Sequence, residues 1–341
     1  MKNKVSIGVI GCGAVARFHA VSILAADNAS LAGFADVRAE SAEAFAKEYG
    51  GKSYSSVEEM LASSDVDAVC ICTPSGFHVN SALAALEAGK HILVEKPLAV
   101  TVEDCDRVIS LAKEKGLTAG VISQFRFTET VQFVRNLVKE GKLGKIVTVE
   151  LLMKYNRSQE YYDSSSWRGT WALDGGSMMN QGIHGVDSLL YLLGPAKSVA
   201  GHMGTMNHNI EAEDTSVATV QMECGALAVI QSTTAAYKGE PRHIAIIGTN
   251  GSVVITEDRI KRCDVEGVEP PAFINEKEQK SKGHQNPMDI SCDGHKFQVH
   301  DFADAILTGR EIAVPLEESR RAVALIQGVY ESARTGKCVK F

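Results

Sequence analysis

Three groups of residues have the types and spacing that chemistry needs. The first centres on Lys96, which follows Glu95 and precedes Pro97 at the end of the apolar run His91-Ile92-Leu93-Val94. Such a run reads as a buried strand that presents charge at its carboxyl edge, the edge where ligands bind in an open α/β sheet. Pro97 locks the next backbone dihedral, so the ammonium would sit on a fixed stem. A surface lysine after an ordinary strand is the plainer reading of an isolated Glu-Lys-Pro. The second group is Asn180, His184 and Asp187, spaced i, i+4 and i+7. On a helix all three share one face, while Ile183, Val186, Leu189 and Leu190 pack elsewhere. An imidazole between an amide and an acid suits proton handling, and a buried, satisfied histidine accounts for the same residues equally well.

The third group is Gly11-Cys12-Gly13-Ala14-Val15-Ala16, directly after the apolar run Val5 to Ile10. One glycine turns tightly, the next lets the backbone approach a pyrophosphate, and the small third residue lets helix pack on strand. The helix amino end then faces the phosphates. A second strand, Leu31 to Ala35, ends in Asp36, where an acid bonds ribose hydroxyls and disfavours a 2′-phosphate. NAD is therefore favoured over NADP, although Arg38 two residues later suits the extra phosphate. The cluster Trp167-Arg168-Gly169-Thr170-Trp171 places a cation among aromatics in a loop. A ligand contact and a surface packing cluster explain it equally.

The elements that must position these residues follow in order. Helical patterns span Ala39 to Tyr49 and Val57 to Ser63, and the strand Ala68 to Thr73 runs into the polar loop Thr73-Pro74-Ser75-Gly76-Phe77-His78 at the same sheet edge. The helix Val79 to Ala88 ends at Gly89. After Lys96, Thr101 and Asp104 read as a capping pair for a helix with the stripe Val102, Cys105, Val108, Ile109 and Ala112. Regular alternation of strand and helix predicts a doubly wound parallel sheet, a first domain of residues 1–122. From there the period changes. After the helix Thr128 to Glu140, strands are expected at Lys145 to Tyr155, Lys197 to Thr205, Thr215 to Glu223, Ala226 to Thr234, His243 to Gly248 and Ser252 to Thr256, with Asn250-Gly251 as a hairpin turn. Residues 123–341 thus read as an α+β domain with a large, mostly antiparallel open sheet. The stretch from Arg259 to Cys292 suggests exposed loops or weak strands, and His295 to Leu307 and Glu317 to Arg334 suggest helices.

Totals narrow the partners. The 341 residues allow two domains with real cores. A formal net charge of −7 without a basic run argues against nucleic acid and anionic membrane. No apolar run spans a bilayer, and Met1-Lys2-Asn3-Lys4 leads into a strand without a signal-peptide pattern. The eight cysteines include no Cys-x-x-Cys pair, which fits a reducing cytoplasm. The ten histidines are dispersed, so no metal site is expected.

Taken together, Gly11-Cys12-Gly13-Ala14-Val15-Ala16, Glu95-Lys96-Pro97 and Gly175-Gly176 followed by Asn180, His184 and Asp187 resemble the glucose-fructose oxidoreductase, inositol dehydrogenase and rhizopine catabolism family, Gfo/Idh/MocA. The resemblance covers nearly the whole chain. It implies a Rossmann domain carrying NAD(P) and a second domain whose open sheet often forms dimers or tetramers. It also implies that Lys96 and His184 act at a substrate hydroxyl, and that Trp167 and Arg168 match a pair near the nicotinamide in some relatives. Many polyol-oxidising members carry an aspartate where this chain has Asn180. An asparagine there resembles the branch acting on sugars or nucleotide sugars, often at the 3-hydroxyl.

The chemistry of oxidising a secondary alcohol assigns further roles. Neutral His184 serves as base, with Asp187 orienting it, and the Lys96 ammonium stabilises the alkoxide. Glu95 meets the nicotinamide ribose or holds Lys96, and Thr73, Pro74 and His78 contact the cofactor. Arg126, Tyr155, Arg168 and Asn180 are the candidate substrate contacts beside Lys96, His184 and Asp187. The expected activity is an NAD(P)-dependent dehydrogenase acting on a secondary hydroxyl of a sugar, cyclitol or sugar derivative. A glycosidase using transient oxidation by held NAD, and a non-catalytic NAD or sugar sensor, are the alternatives.

Overall fold

The computed structural model describes residues 3–271, 283–285 and 291–341. The chain divides into two compact units, Met1–Gln124 with Cys292–Arg320, and Phe125–Ser291 with Arg321–Phe341.

The first unit is built on six parallel strands, β1 (Val5–Ile10), β2 (Ala29–Ala35), β3 (Lys52–Ser53), β4 (Ala68–Ile71), β5 (His91–Val94) and β6 (Ala119–Val121). Their order is β3-β2-β1-β4-β5-β6. Both β2 and β4 pair with β1, so the winding reverses there, and the crevice beyond the carboxyl ends of β1 and β4 is where such sheets take ligands. The apolar runs of β1, β4 and β5 are buried because helices cover both faces. These helices are α1 (Ala16–Ala25), α2 (Ala39–Tyr49), α3 (Val57–Ala62), α4 (His78–Glu87) and α5 (Val102–Lys115). The expected cap of α5 is present: the Thr101 hydroxyl accepts from the Asp104 N–H at 3.2 Å and donates to the Asp104 carboxylate at 2.9 Å.

One boundary differs from the sequence reading. Residues 292–320 were expected in the second domain, yet they cluster with the first unit. The cause is the apolar face of the helix Asp293–Thr308, whose Val299, Phe302, Ala303 and Ala305 complete the core around Ala16, Ala20 and Ile23 of α1. The Gln298 side chain fastens it, accepting from Ser123 N–H at 2.9 Å and donating to the Val121 carbonyl.

The second unit holds eight strands in the order β13-β12-β11-β7-β10-β9-β8-β14. They are β7 (Ile146–Lys154), β8 (Ala196–Gly204), β9 (Thr215–Met222), β10 (Leu227–Thr233), β11 (His243–Gly248), β12 (Gly251–Thr256), β13 (Arg259–Val265) and β14 (Val339–Lys340). Among the described residues of this unit, only β7 and β10 pair in parallel. Burial alternates along β9 and β10, so the sheet keeps one face toward the core and the other toward solvent. The helices α6 (Glu129–Lys139), α7 (Gln159–Asp163) and α8 (Ile183–Leu193) belong to this unit. α8 is preceded by a π turn, Met178–Gly182, a wider coil that often marks functional sites.

Candidate functional site

At the carboxyl end of β1, Gly11 has φ of +90°, and a Cβ there would lie 2.9 Å from the backbone of Cys72 and Thr73. Only glycine lets the turn pass this close to the end of β4. Nothing lies within 4 Å of the place a Gly13 Cβ would take, and Gly13 and Ala14 are exposed, so the turn leaves room for a ligand against its backbone. The Asp36 carboxylate is tied to this turn, with Oδ2 accepting from Cys12 N–H at 2.7 Å and Oδ1 from Arg38 N–H at 2.9 Å. Val15 and Ala16 continue into α1. The Arg38 guanidinium stands 3.9 Å from Asp36 and is largely exposed. Val37, between them, is 98% exposed, an apolar surface that sequence patterning did not single out.

The loop after β4 corrects one expectation. His78 was placed among the cofactor contacts, but its ring is buried, with Nδ1 at 2.6 Å from the Pro97 carbonyl and Nε2 at 2.8 Å from the Thr73 carbonyl. Burial lowers its pKa against the pull of these carbonyls. It straps the β4 loop to the Lys96-Pro97 turn and offers no ring nitrogen to a ligand. Thr73 remains suited to one, since its Oγ1 is buried without a hydrogen-bond partner. Pro74 opens the short turn Ser75–Phe77 that leads into α4.

Lys96 is half-buried at the end of β5. Beside it, Glu95 is 5% exposed and lies 2.9 Å from His19 Nε2 and 3.7 Å from His295 Nε2, while its other oxygen accepts from the Lys96 N–H at 3.1 Å. Phe18 stacks on His295 with ring centres 5.5 Å apart. Burial pushes the Glu95 carboxyl up, but the bonds from the two imidazoles outweigh it and hold it well below the usual carboxylate range. The three ligand-type atoms lie within 4.8 Å of one another. Histidines dispersed in the sequence thus meet in the fold, and no motif spacing announced them. Glu95 Oε2 thus bonds the Lys96 backbone N–H; the sequence reading had offered a ribose contact or a hold on Lys96.

In the second unit the expected single polar face divides. Asn180 lies within the π turn, where the α-helical i, i+4 rule does not hold, and its amide donates to the Asp174 carboxylate while its oxygen accepts from Gln181. Asp187 was expected to orient His184. Both its oxygens instead accept from Arg126, at 2.8 Å from Nε and 2.5 Å from Nη2, a buried bidentate pair. Arg126 also lies 4.6 Å from the Tyr191 ring, so both groups form a structural bridge between the turn at Gln124–Phe127 and α8. His184 is half-buried and meets Phe125 edge-on at 5.1 Å. Tyr155, a candidate substrate contact, is buried, and burial raises its pKa.

Trp167 and Arg168 do cluster: the Arg168 guanidinium lies 4.5 Å from the Trp167 ring and 4.1 Å from Tyr161, whose hydroxyl accepts from Nη1 at 2.5 Å. Glu213 is a further buried acid beneath the π turn. It accepts from Ser177 Oγ and Met178 N–H at 2.7 Å and from the Tyr330 hydroxyl at 3.0 Å, and burial raises its pKa to about 8. Gly176, with φ of +85°, allows the approach, because a Cβ would lie 2.7 Å from Glu213 Oε1.

Residues 5–123 match the model of an oxidoreductase family with an NAD-binding Rossmann fold, Gfo/Idh/MocA. Residues 131–254 match the model of a GFO/IDH/MocA C-terminal domain. The chain is 31% identical over 259 residues to 1,5-anhydro-D-fructose reductase from Ensifer adhaerens, covering 72% of this chain and 74% of that protein. It is 30% identical over 210 residues to glucose-6-phosphate 3-dehydrogenase from Bacillus subtilis (strain 168), covering 61% of this chain and 59% of that one. Among solved structures, the WlbA dehydrogenase from Bordetella pertussis in complex with NADH and UDP-GlcNAcA superposes with a TM-score of 0.88 at 31% identity, covering 99% of both chains.

Proposed function

The chain belongs to the Gfo/Idh/MocA family of NAD-binding oxidoreductases, and from that premise we propose that it oxidises a secondary hydroxyl of a sugar, cyclitol or sugar derivative. The observation that carries this reading is the Asp36 carboxylate bonded to the glycine turn at the winding reversal of a parallel sheet. The residues there fit the cofactor. The Gly11 to Ala16 turn and the α1 amino end would cradle a pyrophosphate, Asp36 the adenosine ribose hydroxyls, and Val37 the adenine. Thr73, whose buried hydroxyl lacks a partner, and Pro74 would line the nicotinamide side. When bound, the nicotinamide accepts the hydride from the carbon that carries the hydroxyl.

The proton is the protein's task. Neutral His184 takes it from the hydroxyl, and the Lys96 ammonium stabilises the oxygen as charge develops. Glu95, ionised between two imidazoles, fixes the backbone of the residue that carries that ammonium. Since Asp187 is committed to Arg126, His184 works without it as a carboxylate partner. Sugar-directed names among the relatives, and the WlbA structure's UDP-GlcNAcA, support the substrate class.

The test is NADH formation on a panel of free sugars, inositols, glycosides and nucleotide sugars, with NAD and NADP in parallel. Turnover with a preference for NAD is expected. His184→Ala should lower kcat by roughly 10²–10⁴-fold while NADH binding, followed by its fluorescence, persists. Full activity in that variant would remove His184 from the mechanism. Free aglycone without net NADH would point instead to hydrolysis by transient oxidation.

A further inference from the structure

Among the described residues, two arginines of the second unit have no carboxylate partner. Arg157 follows β7 and is 4% exposed. Its Nη1 donates to the carbonyls of Asn156 and His284, and its Nη2 to Gln181 Oε1 and the Gly283 carbonyl, all neutral acceptors. Its Nε–H is buried with no partner. Arg168 donates from Nη1 to the Tyr161 hydroxyl, and its Nε–H is likewise buried without a partner. Neither guanidinium bonds a carboxylate among the described residues. Both lie over one ring, with Arg168 4.1 Å and Arg157 5.7 Å from the centre of Tyr161. Gln181 joins them, accepting from Arg157 and donating to the Tyr161 hydroxyl at 3.3 Å.

A buried cation is ordinarily paired, because removing it from water is costly without a counter-charge. Asp174, an acid of the same unit, accepts from the Gly169 N–H and the Asn180 amide. Arg157 is buried and Arg168 half-buried, so two guanidiniums around one tyrosine, each with an Nε–H left without a partner, form a site suited to a negative charge. Guanidinium forks match the planar oxygens of a carboxylate or phosphate. The amide chain that links them runs directly to Asn180, four residues before His184, so the site shares its scaffold with the proposed base.

We propose that Arg168, supported by Arg157 and Tyr161, is a specificity-determining group that binds an oxyanion carried by the substrate, so that the substrate is an acidic sugar derivative. This rests on the dehydrogenase reading above for its catalytic consequence, but not for the binding itself. The site discriminates by charge: a neutral sugar would leave the cations uncompensated, whereas an acid pairs with them.

Matched probes separate the two readings and the two oxyanions. Binding to the full chain loaded with NADH would be followed by calorimetry for glucuronate against glucose, UDP-glucuronate against UDP-glucose, and glucose 6-phosphate against glucose. NADH formation would be followed for the same compounds with NAD. In at least one pair the acid should bind roughly ten- to a hundredfold more tightly than its neutral partner. The first two pairs report a carboxylate and the third a phosphate. Arg168→Gln should bring that ratio toward one, and Arg168→Lys, which keeps charge but loses the fork, should restore part of it. Since Arg157 is buried and its variants threaten folding, Arg168 carries the test. Discrimination in binding without turnover, on these compounds and on the full panel above, would retain the anion site and sink the dehydrogenase reading. Equal affinities, or equal failure to bind, in every pair would overturn the anion site whatever the turnover, as would a ratio unchanged in Arg168→Gln.

Discussion

At the residue scale, the buried acids show how burial and hydrogen bonding compete. Glu95 stays ionised because two imidazoles face it, whereas Glu213, held by a hydroxyl, a backbone N–H and a phenol, is raised to about 8 by burial. The raised value has a consequence for stability. Between the ordinary glutamate value of 4.5 and about 8, the native chain holds a proton that the unfolded chain has released. Glu213 therefore contributes stability fully below that window and loses it as pH rises through the folded pKa. In urea melts across about pH 5.5 to 8.5, Glu213→Gln should flatten the decline seen in the native sequence, whose slope from this group is at most about 1.4 kcal/mol per pH unit. Identical slopes in the two proteins would show that Glu213 is not the titrating group. Asp187 and His184 carry a different lesson. Their spacing of three was legible, but which of them meets an arginine was not, because Arg126 lies 61 residues away in sequence from its partner.

At the element scale, the strand-to-helix turn after β1 forms the proposed cofactor edge. It depends on Gly11, where the backbone has positive φ and passes against the end of β4. Gly11→Ala brings a Cβ to 2.9 Å from the Cys72 and Thr73 backbone, so the turn must shift. Calorimetric titration with NADH should show affinity lowered by at least about tenfold, with a lower melting temperature. Native affinity in this variant would mean that the turn does not hold the pyrophosphate. In the second unit the corresponding device is the π turn Met178–Gly182, which takes Asn180 out of α-helical phase and toward Asp174. Hydrophobic periodicity located this island correctly. A single wider turn lies below what such a pattern resolves.

For the whole molecule, the first unit is discontinuous in sequence. The helix Asp293–Thr308 returns after the second sheet to cover α1 and to supply His295 to Glu95. A fragment of residues 1–124 should therefore lack a complete core. Expressed alone, it should bind an environment-sensitive dye such as ANS and unfold without a cooperative transition, whereas the full chain melts sharply. A fragment with cooperative melting and undiminished NADH affinity would show that the returning helix is dispensable.

The amino-acid order alone made legible the doubly wound first sheet, the mostly antiparallel second sheet and the glycine turn with Asp36. Each is encoded locally, in periodicities of two and 3.6 or in the stereochemistry of a single turn. It also identified the Thr101 cap, the Asn250-Gly251 hairpin, and Lys96 at a strand's carboxyl end. The long-range polar pairings emerged from packing: His19 and His295 on Glu95, Arg126 on Asp187, His78 between two carbonyls, and Arg157 and Arg168 over one tyrosine ring. A hydrophobic stripe declares its buried face through composition alone. A polar group has no such signature, since its partner is set by which segments the packed core brings within about 3 Å.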